Sequence, residues 1–118
     1  MINQIEIPSF IEEALPEISF DLNVNKKINA YDVMNTLMVF TFKNIKEHNY
    51  KMVQRCFKIA DKLYCRGNAM VKNAVQNVFV YSFTKMFQTY PAEKQALLSI
   101  LPVTLYSLYI TQIHHSGC

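Results

Sequence analysis

The chain has 118 residues, of which 51% are apolar, and 12 Lys and Arg against 9 Asp and Glu give it a formal net charge of +3. That length and apolar share supply one hydrophobic core without a disulfide or metal, so one domain over residues 1–118 is expected. Two glycines and four prolines argue against a turn-rich β protein and against a disordered chain.

Charge runs along the chain in blocks. Residues 1–25 hold Glu6, Glu12, Glu13, Glu17 and Asp21 and no Lys or Arg. Residues 43–72 are dominated by Lys and Arg, and nothing from Gln95 to Cys118 is Asp, Glu, Lys or Arg. The chain is therefore acidic, then basic, then uncharged.

The elements follow in order. Ser9-Phe10-Ile11-Glu12 has the form of a capping box, which predicts a helix starting at Ser9 and stopped by Pro16. Residues 17–28 read as a linker anchored by Ile18, Phe20 and Leu22, which makes residues 1–28 an acidic arm and 29–114 the helical core. Asn29 predicts the N-cap of a second helix over about 30–47, with Asp32 near its positive end. A third helix over about 50–66 carries the apolar stripe Val53, Cys56, Phe57, Ala60, Leu63 and Tyr64, closed by Gly67 as a left-handed cap. A fourth, over about 69–89, is apolar on most of its circumference, which places it centrally. A fifth starts near Pro91 and breaks at Pro102 into pieces of about 92–100 and 102–114.

Short links make consecutive helices antiparallel neighbours. The expected fold is all-α, about five helices, as an antiparallel bundle or a short α-hairpin superhelix. Its predicted core is Leu37, Met38, Ile45, Val53, Phe57, Ala60, Val75, Val78, Phe79, Phe83, Leu97, Leu101 and Leu105.

Lys51, Arg55, Lys58, Lys62 and Arg66 form the sharpest constellation. At 100° per residue they fall in an arc of about 80° opposite the apolar stripe. Four successive like-charge neighbours cost the isolated helix about 0.2–0.5 kcal/mol each. Three readings stand: a solvated face, a face covered by the acidic first 25 residues, or a face that binds an anionic partner.

The uncharged tail from Gln95 to Cys118, which includes the stretch from Ala96 to Ile110, is long enough to cross a bilayer, but Ser99, Pro102, Thr104, Ser107, Thr111 and Gln112 make it amphiphilic, so no membrane span is expected. A buried bundle helix and an interface with another copy or with a partner are the readings, a homodimer being the oligomer expected, with Tyr106 and Tyr109 suited to a rim or a core edge.

His114, His115 and Cys118 have metal-donor chemistry, yet nothing brings a fourth donor (His48, Cys56 or Cys65) to them, so neither metal nor other cofactor is expected. Cys56 and Cys65 read as buried small apolar residues, and three unframed cysteines without a secretory signal suit the cytoplasm. His48 stands alone, as an exposed helix-end residue. No nucleophile elbow, phosphate loop or zinc-protease motif is present, so no enzyme is expected.

The stretch Lys72-Asn73-Ala74-Val75-Gln76-Asn77-Val78-Phe79-Val80-Tyr81-Ser82-Phe83 follows a charged amphipathic helix and precedes a proline-led helix ending in Leu101-Pro102. Over residues 28–110 it resembles a family of small, uncharacterised, all-helical bacterial proteins similar to the immunity proteins of interbacterial toxin systems. The resemblance implies a protein-binding module and no catalytic residues. The basic third helix departs from the acidic surface expected of a protein that neutralises a nuclease. The expected partner is a protein; the alternative is a nucleic acid or other anionic surface, bound through the basic face.

Overall fold

The computed structural model describes residues 2, 3, 5–18 and 29–116, with side chains as far as Ile113. The expected anchors Phe20 and Leu22, the acid Asp21, the side chains of His114 and His115, and Cys118 lie outside the described residues. The fold is all-α, a helical bundle with no strand among the described residues. Its only β-type pairing there joins Ile2 to Gly67, through Ile2 N–H to the Arg66 carbonyl and Asn68 N–H to the Ile2 carbonyl, each 2.8 Å.

The first helix, α1, spans Ile7–Ala14 and begins before the expected Ser9. Pro8 fits its first turn, where no amide hydrogen bond is needed, and Asn3 Oδ1 accepts from the amides of Ile5 and Glu6 just ahead of it. Ser9 therefore lies inside the helix, and the capping box does not form. Ile7, Ile11 and Leu15 are fully buried.

Local caps set the next two helices where expected. α2 spans Ala30–Lys46 with Asn29 accepting from the Tyr31 amide, and α3 spans Tyr50–Arg66 with Asn49 accepting from the Met52 amide. Gly67 ends α3 but is not left-handed; its φ is −76°. Glycine is needed for space instead, because a Cβ there would press on the Leu63 carbonyl oxygen and lie 2.5 Å from Val71 Cγ1. The left-handed residue is His48, at φ 60°, where the turn from α2 to α3 closes through the Asn49 amide and the Asn44 carbonyl.

The fourth helical run is not one α-helix. α4 (Ala69–Ala74) passes into a π-helical segment, Val75–Val80, and α5 (Phe83–Thr89) resumes. At its end the Tyr81 amide reaches back five residues to the Gln76 carbonyl at 3.2 Å. The insertion corrects a register. Up to its first residue, Val71, Ala74 and Val75 are buried. An uninterrupted α-helix would carry that face on through Val78, Ser82, Lys85 and Thr89. Within and after it, Phe79, Val80, Phe83, Met86 and Phe87 are buried, most of them one position later; Ser82 stays buried beside Phe83, and Lys85 and Thr89 stay in solvent. The apolar circumference seen in the sequence is thus largely two stripes joined out of phase. Val78, expected in the core, is only half-buried, as is Met38 on α2; the other expected core residues are buried.

This run touches α2, α3 and the last helix, so it is central. Phe57 of α3 meets Phe79 and Phe83 edge-on at 6.2 and 5.8 Å between centroids, and Tyr109 meets Phe83 and Phe87 at 6.0 and 5.3 Å. Pro91 opens a 3-10 turn, Pro91–Glu93, that leads into α6, Lys94–Ile100. Leu101 is extended ahead of Pro102, and α7 runs over Val103–Ser116. No described helix is long and apolar enough to cross a membrane.

Candidate partner-binding ridge

The core face of α3 fixes the direction of its other face. Val53, Cys56, Phe57, Ala60 and Leu63 are buried against the bundle, so Lys51, Arg55, Lys58, Lys62 and Arg66 stand in solvent, all exposed. At 1.5 Å per residue the ridge is about 22 Å long. Among the described residues none of the five cations lies within 4.0 Å of a carboxylate.

α1 packs against α2 and α3, yet no described acid on or beside it forms an ion pair with the ridge. Glu6 accepts from the Asn3 amide at 3.4 Å, and Glu13 and Glu17 are exposed with no ion pair to a Lys or Arg. For the described acids, the internal remedy for the like-charge cost is not made.

Asp61 and Cys65 flank the ridge on one side. Asp61 is half-buried, with a shielded Oδ1 that accepts no hydrogen bond. Cys65 is exposed, against expectation, because it stands at the border of the ridge rather than on the apolar stripe. Cys56 is buried as expected, and burial pushes its thiol up to about 11. Lys72 on α4 does not extend the ridge. Its ammonium lies 5.8 Å from the ring of Tyr64, on the opposite side of α3.

A second cluster was hidden in the sequence. His48 is exposed as expected but does not stand alone, because its Nδ1 lies 2.8 Å from Glu93 Oε1. The Glu93 side chain is only 12% exposed, and its Oε2 is shielded without a partner. The Tyr50 phenol is pushed up by burial and by the neighbouring Glu93 charge. The pair ties the α2–α3 turn to the 3-10 turn before α6. Glu93 is 45 residues from His48, and in sequence it reads only as a helix-start charge.

Among the described residues no three His, Cys, Asp or Glu side chains gather as a metal site would require. The ridge presents two guanidinium and three ammonium groups, which suit carboxylate or phosphate ligands.

Comparison with curated proteins and with solved structures found no match. Residues 8–115, nearly the whole helical bundle with the ridge included, match a described family, and the chain belongs to it: Domain of unknown function (DUF7674).

Proposed function

We propose that this protein is a non-enzymatic protein-binding module whose α3 ridge docks on an acidic protein surface. The observation that carries the reading is the ridge itself: five exposed cations in one arc, with no acidic partner among the described residues. A like-charge arc costs the helix about 1–2 kcal/mol in sum, and a ligand of opposite charge offsets it. The resemblance to immunity proteins supports a protein partner, a toxin with an acidic face being one form of it.

The test is Arg55→Glu with Lys62→Glu, measured against a labelled Glu- and Asp-rich peptide and against duplex DNA, at about 50 and about 200 mM salt. The reading expects the native chain to bind the acidic peptide and the double variant to lose that binding with its fold intact. Tight DNA binding that collapses at the higher salt, with no peptide binding, would transfer the ridge to nucleic acid. Equal binding by native and variant chains would leave it a solvated face.

A further inference from the structure

α7 is buried along one side only. Leu105 and Tyr109 face the bundle, while Val103 is 80% exposed, Tyr106 44% and Ile113 38%, with Ile110 half-buried between them. Val103, Tyr106, Ile110 and Ile113 are spaced three, four and three apart. On a helix they fall in one arc of about 80°, the spacing of the contact seam in a helix pair.

Charge decides what can cover this seam. No Asp, Glu, Lys or Arg occurs from Gln95 to Cys118, and Ser107 and Thr111 on the outer flank are uncharged hydroxyls. A strongly charged partner finds nothing there to pair with. A second copy of the same helix finds nothing to repel it, and its seam has the same spacing.

We infer that Val103, Tyr106, Ile110 and Ile113 form the contact between two copies of this chain, paired antiparallel about a two-fold axis that crosses the seam at the level of Leu108, midway between Tyr106 and Ile110. Antiparallel pairing sets Val103 against the second copy's Ile113 and Tyr106 against its Ile110. It opposes the two helix dipoles, and it avoids stacking Tyr106 on its own copy, as a parallel pair would. The inference is independent of the α3 ridge, which lies on another helix.

Sedimentation velocity of the full chain under reducing conditions tests it. The native chain should dimerise in the micromolar range, and V103K or I113E alone should weaken association at least about tenfold. The double variant V103K/I113E should associate again, because antiparallel pairing puts each introduced ammonium beside the other copy's introduced carboxylate. Parallel pairing would set like charges together and keep it apart. Far-UV circular dichroism follows the fold of each variant. A native chain that is monomeric at several hundred micromolar, single variants that dimerise as the native chain does, or a double variant that stays monomeric would each overturn the inference.

Discussion

Val78 and Val80 are two residues apart, and the same truncation at each should give very different losses. Val80 is fully buried and Val78 half-buried, because the π-helical segment turns the chain between them. Val80→Ala removes two buried carbons, about 1.6 kcal/mol at 0.8 per methylene. The residual cavity adds to this at about 24 cal/mol per Å³, for a total of about 2–3 kcal/mol. Val78→Ala loses about half the transfer term and regains a few tenths from the better helix former, leaving about 0.5 kcal/mol or less. Urea denaturation followed by circular dichroism reads the difference as a shift in midpoint at constant slope. In an uninterrupted α-helix Val78 would continue the face of Val71, Ala74 and Val75, and Val80 would point away from it. A loss at Val78 equal to or greater than that at Val80 would refute the π register.

Deleting Asn77, an exposed residue of the π segment, should restore a continuous α-helix and keep the fold; deleting Lys58 from α3 should unfold the protein, a contrast that thermal melts would show. Gly67→Ala should cost about 1–3 kcal/mol in urea, since a Cβ there meets the backbone of Leu63 and the branched carbon of Val71. For Cys56 the folded thiol holds its proton to about 11 against an ordinary 9.0, so its effect is absent below pH 9 and stability falls as pH rises from 9 to 11. That fall is on the order of 2 kcal/mol, and Cys56→Ala should remove it while the fall from Tyr50 and Tyr109, both also raised, remains. Replacing His48 by Asn keeps a residue that tolerates the left-handed turn but strips the shielded Glu93 carboxylate of its imidazole; a loss of about 1–3 kcal/mol is expected, recovered in part by adding Glu93→Gln, as a double-mutant cycle would measure.

What was legible in the sequence was whatever depends on near neighbours. Asn29 marks its helix because an N-cap acts within three residues, and the stripe of α3 gave both the buried face and the ridge. Ser9-x-x-Glu12 misled because a competing start, Asn3 with Pro8, lay just upstream. Gly67 signalled a helix end correctly, but whether a glycine supplies a positive φ or merely space depends on Val71 across the turn. The π segment leaves no local mark. Residues apolar on two stripes one position apart look the same as residues apolar all round, and only the exposure of Lys85 beside buried Met86 separates the two. His48 and Glu93 meet only through the packing of the hairpins.

Charge does little to hold this bundle together. Among the described residues the only contact within 4.0 Å between a basic and an acidic side chain is His48 with Glu93, and no Lys or Arg takes part in one. Burial supplies the stability instead, through the Phe57, Phe79, Phe83, Phe87 and Tyr109 rings and the aliphatic residues around them. The consequence is that surface charge can be altered without loosening the core. Reversing Arg55 and Lys62 turns like-charge neighbours into attractive ones, so stability should hold or rise by about 0.5–1 kcal/mol. A variant that melts earlier than the native chain would mean that the ridge contacts an acid of its own chain, and the ridge would then be part of the fold. A variant that melts at or above the native temperature keeps every consequence of the reversal on the binding side, where the peptide and DNA titrations read it.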